Sequence, residues 1–196
     1  ENVWISAVFE HIEGTGVHSG DSISITPPVS LSSEALAKLT ATARHIAGNM
    51  KYTGLFNIQF VYEGDQLFVM EINPRASRTV PISSKATDVP LVQLATALML
   101  GVPFEELGIE ELYNGQPEYT VKAPVFSHIK LPGLSAVLSP EMMSTGEVIG
   151  SSRDSSLAMQ KALDGASQQL ASLKGGGTIF ITEASLSLID EKFWKD

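Results

Sequence analysis

The stretch that decides the fold is Asn57-Ile58-Gln59-Phe60-Val61-Tyr62-Glu63-Gly64-Asp65-Gln66-Leu67-Phe68-Val69-Met70-Glu71-Ile72-Asn73-Pro74-Arg75. Two apolar, β-rich runs, residues 55–62 and 67–72, flank the polar Glu63-Gly64-Asp65-Gln66, a pattern that predicts a hairpin. Asn73-Pro74 stops the second strand, because proline has no N–H to continue a ladder. Strand side chains alternate faces with period two, so Glu71 and Asn73 point the same way. Gln59 joins them only if the register pairs odd residues with odd. A three-residue loop does that, whereas a two-residue loop sends Gln59 to the opposite face.

Oxygen-bearing side chains gathered on one face suit a hard cation such as Mg2+ that also bridges phosphates. Taken singly, Gln59 or Asn73 reads as the solvent face of a strand; the trio carries more. Arg75 and Arg78 follow on the loop leaving the second strand. Guanidinium groups clamp phosphate and carboxylate, and beside a metal-binding strand end they neutralise a transferring phosphoryl group. Lys85 adds charge nearby or is simply surface. Upstream, Gly16-Val17-His18-Ser19-Gly20-Asp21 is short and polar, and its glycines let backbone amides approach an anion. Ser19 beside His18 is no nucleophile–base pair, since sequence neighbours seldom meet in that geometry. His11, His45 and His128 read as structural or surface, and Trp4, Met142 and Met143 as packing residues.

Around this centre the pattern predicts a strand over 2–11, an extended piece over 22–26, and a helix with the apolar stripe Leu36, Leu39, Ala43, Ile46, Ala47 and Met50. Ser30 or Ser32 is its candidate N-cap. Residues 75–87 read as irregular. Asp88 reads as the cap of a helix with Pro90 in its first turn, a stripe of Leu91, Leu94, Ala95 and Leu98, and Gly101 at its end. A short turn over 103–107 follows. Residues 121–126 form an expected strand with Pro124 at an edge. Turns are expected at Pro132-Gly133 and Ser139-Pro140. Asp154 caps a helix over 155–165 that resumes toward 173. Beyond the linker-like Lys174-Gly175-Gly176-Gly177, a strand is expected over 178–182 and a helix over 186–194.

The chain has 196 residues, with 13 Lys+Arg against 22 Asp+Glu, hence a net charge of −9. That balance argues against a nucleic-acid or anionic-membrane surface, which needs net positive charge. At 43% hydrophobic and 18% charged, the chain can bury a core. Zero Cys excludes disulfides, zinc thiolates, a Cys nucleophile and iron–sulfur ligation, and fits a reducing, cytoplasmic setting. No apolar run is long enough to span a membrane. The start, Glu1-Asn2-Val3-Trp4, has neither an initiator Met nor the features of a signal peptide, and reads as the interior of something longer.

Taken together, Glu10-His11-Ile12-Glu13, Gly16-Val17-His18-Ser19-Gly20-Asp21-Ser22, Asn57-Ile58-Gln59-Phe60, Glu71 through Pro81, Ser84-Lys85-Ala86-Thr87, and Ser144-Thr145-Gly146-Glu147-Val148-Ile149-Gly150 resemble the large chain of carbamoyl-phosphate synthase. That family carries two ATP-grasp units in tandem, and the motifs are similar to the second, carbamate-phosphorylating unit over residues 5–165. The resemblance implies an α+β fold. Residues 1–105 would form the C-terminal lobe of an ATP-grasp domain, an antiparallel sheet with packed helices. Residues 106–170 would form the remainder of that domain and a helical connector, and 171–196 the truncated start of an allosteric, methylglyoxal-synthase-like α/β domain.

It also implies roles. Gln59, Glu71 and Asn73 would hold Mg2+ or Mn2+ under the ATP phosphates. Arg75 and Arg78 would contact the transferring phosphate or carbamate. Val17, His18 and Ser19, with Gln59 and Glu71, would contact ATP. His11, Glu13 and Val17 would help bind K+. The implied partners are a small glutamine amidotransferase subunit, ATP, carbamate and allosteric nucleotide effectors of the missing domain. The implied setting is pyrimidine and arginine biosynthesis. Two features depart from the family: its flexible phosphate lid is missing, so the fragment is expected to be inactive alone, and Asp88 stands where the family usually has Gly. Another ATP-grasp carboxylate-amine ligase or carboxylase is the alternative enzyme, disfavoured by the Ser144-Thr145-Gly146-Glu147 continuation. A non-catalytic module built on an ATP-grasp remnant is disfavoured by the retained trio and both arginines.

Overall fold

The computed structural model describes residues 2–109, 118–127 and 137–166. The first compact unit is Glu1–Ala166. The expectations at Pro132-Gly133, beyond residue 166, and for an allosteric domain from 171 lie outside the described residues.

The chain opens irregularly and reaches its first ladder at β1 (Glu10–His11), which pairs antiparallel with β2 (Ser24–Thr26). The strand expected over 2–11 is therefore only its last two residues. A strand needs a partner for its N–H and C=O groups, and here Val3 O is taken instead by Arg44 Nη1 at 2.6 Å. Helix α1 (Ser33–Asn49) starts where Ser32 accepts the Ala35 N–H at 3.1 Å, which decides between the two candidate caps. Its buried positions are Ala35 and Ala47, with the larger stripe residues half covered.

Strands β3 (Asn57–Glu63) and β4 (Gln66–Asn73) form a separate two-stranded sheet. Gly64 and Asp65 alone make the turn, at φ 52° and 62°, as a type I′ turn requires. Glu63 therefore pairs with Gln66, and an unbroken ladder would send Gln59 away from Glu71. The register shifts between Gln59 and Phe60: Phe60 pairs with Val69, but Gln59 pairs with Glu71. Met70 is the extra residue of a β-bulge. The loop is the two-residue kind, yet the bulge restores the odd-with-odd pairing. Phe68, Val69, Met70 and Ile72 are 47%, 44%, 59% and 36% exposed, so β4 leaves much of its apolar surface uncovered. At the turn, Lys38 Nζ of α1 donates to the Asp65 carbonyl oxygen at 2.5 Å.

Residues 79–87 are not irregular but helix α2 (Thr79–Thr87). Pro81 is tolerated because it sits in the first turn, where the N–H has no intrahelical acceptor. Asp88 does not open the next helix. It ends α2 in the left-handed region, at φ 55°, with its N–H returned to Ser84 O. Helix α3 (Leu91–Met99) follows with Pro90 at its N-cap position and buries Leu91 and Ala95 of the expected stripe. A short 3-10 turn, Phe104–Leu107, comes next.

Strand β5 (Tyr119–Val125) and strand β6 (Gly146–Ser152) complete a four-stranded antiparallel sheet in the order β1-β2-β5-β6. Pro124 lies in an interior strand, but β2 reaches only Thr120, Val121 and Lys122, so β5 is locally an edge at Pro124. Strand β6 was not foreseen; its glycines and serines dilute the apolar signal. Helix α4 (Ser155–Ala166) is capped as expected, with Asp154 Oδ1 accepting the Leu157 N–H at 2.8 Å. It packs on β5 and β6 around Ile25, Val121, Ala123, Ala158 and Ala162, none more than 2% exposed.

Candidate functional site

The bulge in β4 builds the first part of the site. It places Gln59 directly opposite Glu71, with Asn73 two residues further on the same face. Asn73 Nδ2 donates to Glu71 Oε1 at 2.5 Å, fixing the orientation of the carboxamide. Asn73 Oδ1, Glu71 Oε2 and the Gln59 carboxamide oxygen then form a set of hard donors. One carboxylate with two amides fits a divalent cation that arrives with phosphate ligands, rather than one held in an all-protein cage. Among the described residues, no group of three or more His, Cys, Asp or Glu could hold a metal.

Arg75 and Arg78 leave the end of β4 with exposed side chains. Arg75 Nη1 donates to Ala76 O at 3.0 Å and is not drawn toward the other site residues. Arg78 Nη1 donates to Ser144 Oγ at 3.0 Å, across 66 residues of sequence. Lys85, on α2, lines a pocket with Pro81, Ile82, Glu147 and Ile149, and Glu147 Oε2 is buried there without a hydrogen-bond partner among the described residues.

The glycine-bounded loop is held from below. Lys122 of β5 is 5% exposed and its Nζ donates to Ser19 O at 3.0 Å and Gly20 O at 3.4 Å. Burial pulls its pKa below the usual lysine value and Arg78 adds to this, while Glu147, Glu13 and Asp21 oppose it. His18 N donates to Ser139 O at 2.9 Å, and His18 Nδ1 accepts the Gly20 N–H at 3.0 Å. With Nδ1 accepting, the neutral form of the ring carries its proton on Nε2.

His11 and Glu13 both lie close enough to Lys122 to feel its charge. Burial lowers the His11 pKa, with Lys122 adding to the effect. Burial also raises that of Glu13, against the bonds it accepts. Glu13 Oε2 accepts the Ile23 N–H at 2.7 Å, so one carboxylate oxygen is committed to β2's approach. Val17 is half buried in the same loop.

Sequence reasoning gave no role to Lys122, Asp21 or Ser144. Lys122 stood between Val121 and Ala123 in an apolar run, the signature of a strand's polar face, and nothing local showed that both faces of β5 are covered. The Asp21–Ser144 contact spans 123 residues and leaves no local pattern.

The antiparallel sheet with a helix packed on it, together with the separate β3–β4 hairpin, is the architecture of an ATP-grasp lobe. Solved structures support that class. The biotin carboxylase domain of a single-chain bacterial carboxylase matches with TM-score 0.54 and 20% identity, over 76% of this chain and 39% of that one. A single-chain, multi-domain long-chain acyl-CoA carboxylase matches with TM-score 0.58 and 21% identity, over 74% and 18%. The family model for the carbamoyl-phosphate synthase L chain, ATP binding domain, matches residues 2–107, and the chain belongs to that family. The arginine-specific carbamoyl phosphate synthase large chain of Halalkalibacterium halodurans is 46% identical over 181 residues, 91% of this chain and 17% of that protein. The carbamoyl phosphate synthase large chain of Clostridium acetobutylicum is 44% identical over 183 residues, 93% and 17% respectively. The chain thus spans about a sixth of the length of these relatives (17%). Among the described residues, no helix is long and apolar enough to cross a membrane.

Proposed function

We propose that this segment forms the phosphoryl-transfer face of a synthase that phosphorylates carbamate with ATP. The observation that carries the reading is the Gln59–Glu71 pairing created by the bulge, with Asn73 on the same face. Gln59, Glu71 and Asn73 hold Mg2+ or Mn2+, which supplies charge neutralisation at the ATP phosphates. His18 offers Nε2–H toward the nucleotide, with Ser19 and Val17 beside it. Arg75 and Arg78 receive the negative charge of the γ-phosphoryl group and orient carbamate. A carbamate oxygen attacks the γ-phosphorus while the bond to the ADP oxygen breaks, giving carbamoyl phosphate and ADP. Positioning and charge neutralisation do most of the work in such a transfer.

In the full-length enzyme, carbamate derives from bicarbonate, a first ATP and ammonia released from glutamine by a small amidotransferase subunit. The product serves pyrimidine and arginine biosynthesis in the cytoplasm. His11, Glu13 and Val17 contribute to a K+ site under the glycine-bounded loop. Spanning about a sixth of the length of its relatives (17%), the segment is inactive by itself.

The test is the reverse partial reaction, ATP formation from carbamoyl phosphate and MgADP, in the full-length protein. Glu71→Ala should lower it by about 10²–10³-fold, the scale of losing one preorganised electrostatic contact. An unchanged rate in Glu71→Ala would overturn the assignment, whereas synthesis of carbamoyl phosphate by the isolated segment would overturn only its inactivity.

A further inference from the structure

The Asp21 carboxylate is fully buried, and both of its oxygens are taken by one distant loop. Oδ2 accepts the Met143 N–H at 2.7 Å and Oδ1 accepts the Ser144 N–H at 2.9 Å. Ser144 is itself 5% exposed, and its hydroxyl reaches both Gly20 O, at 3.2 Å, and the Asp21 carboxylate. A lone pair of the same oxygen accepts Arg78 Nη1 at 3.0 Å. A continuous path therefore runs from the carboxylate through the Ser144 backbone and hydroxyl to the guanidinium. Arg78 is otherwise an exposed, many-rotamer side chain at the start of α2, and a long exposed arginine does not hold one conformation without a partner.

The same hub fastens the loop that carries His18 and Ser19, because Gly20 O accepts from both Ser144 and Lys122. The groups assigned to nucleotide and to phosphate are thus tied to one buried anchor. From this we infer that Asp21 and Ser144 are positioning residues for Arg78, presetting its guanidinium for the transferring phosphoryl group. The inference rests on the carbamate-phosphorylation reading. Its role matters most in the transition state, where small misplacements of a charged group are costly.

The experiment uses the full-length protein and ATP formation from carbamoyl phosphate and MgADP. Ser144→Ala removes the Arg78 contact but keeps both backbone N–H bonds to Asp21. It should lower kcat about 10- to 100-fold while KM for MgADP changes by less than about two-fold. Ser144→Thr, which keeps the hydroxyl, should recover most of that loss. Asp21→Asn turns an amide N–H toward one of the backbone donors and should shift the loop with a similar effect. In an Arg78→Ala background, adding Ser144→Ala should cost nothing further, because the group it positions is already gone.

A wild-type kcat in Ser144→Ala, or a full additional loss in the double variant, overturns the inference. Those outcomes differ from failure of the underlying reading, in which the parent protein makes no ATP or Arg78→Ala retains its full rate; either of these overturns both. If Asp21→Asn does not fold, the Ser144 series still decides.

Discussion

Gly150 of β6 lies against the backbone of α4 at Ala158: a Cβ at position 150 would stand 2.4 Å from the Ala158 carbonyl oxygen and 2.5 Å from Ala162 N. Real side chains do not approach that closely, and the obstacles are backbone atoms of a helix whose Ala158 and Ala162 are fully buried. Small residues on both elements let helix and strand meet at this distance. Gly150→Ala must push α4 off the sheet. The expected cost is about 3 kcal/mol, at the upper end of core overpacking. Urea denaturation checks it; a midpoint equal to wild type would mean that the contact is looser than described.

Asp88 ends α2 at φ 55°, a conformation that glycine adopts freely and that a Cβ disfavours. Asp tolerates the left-handed region better than most residues, so the penalty is modest. Asp88→Gly is expected to stabilise the chain by a few tenths to about 1 kcal/mol, the relief of strain outweighing the added unfolded-state entropy. A lowered thermal midpoint would show that the Asp88 side chain makes a contribution beyond its backbone.

Much of the fold was legible because it is local. The Ser32 and Asp154 caps, the hairpin and the stripe of α3 all follow from neighbours in sequence. What escaped was set by distant partners. Residues 2–9 have strand-like composition but find no ladder among the described residues, while β6 has poor strand composition and finds one in β5. Residues 79–87 were hidden by Pro81, which breaks a helix interior but not a first turn. In the site, the trio and the arginines were visible as residue types at short spacing. Their mutual geometry was not, because a bulge at Met70 leaves no signature in an alternating apolar run. Asp21, Lys122 and Ser144 carried no local signal, since the contacts that join them to the rest of the site span 66 to 123 residues.

Asp21 also sets a pH dependence. Burial pushes its carboxyl pKa up, but the hydrogen bonds from Ser144 and Met143, with His18 nearby, outweigh this and hold it below the usual value. A carboxyl whose pKa is lower folded than unfolded binds fewer protons in the native state. Its stabilisation is therefore present above the unfolded value, about 3.9, and is lost as pH falls through the folded value. Asp21→Asn should lower stability at pH 7 and flatten the acid limb of stability against pH. Urea midpoints between neutral and acid pH test this, and an acid limb of unchanged slope in the variant would assign the limb to other carboxylates.

The pairing of Gln59 with Glu71 can be tested without reference to activity, and the absence of cysteine makes the background clean. Directly opposed residues of an antiparallel pair have Cα atoms about 4.5–5.5 Å apart, within the range a disulfide spans. The bulge predicts that Gln59→Cys/Glu71→Cys closes readily under mild oxidation. An unbroken ladder running from the Glu63–Gln66 pair would instead place Glu71 opposite Ile58, so Ile58→Cys/Glu71→Cys serves as the competing register. Successive side chains of a strand lie on opposite faces, so the two pairs report opposite orientations of Gln59 relative to Glu71. Preferential closure of the 59/71 pair, read by mass shift of the intact chain, is the expected outcome. Preferential closure of the 58/71 pair would put Gln59 on the far face and leave Glu71 and Asn73 without it as a third oxygen donor.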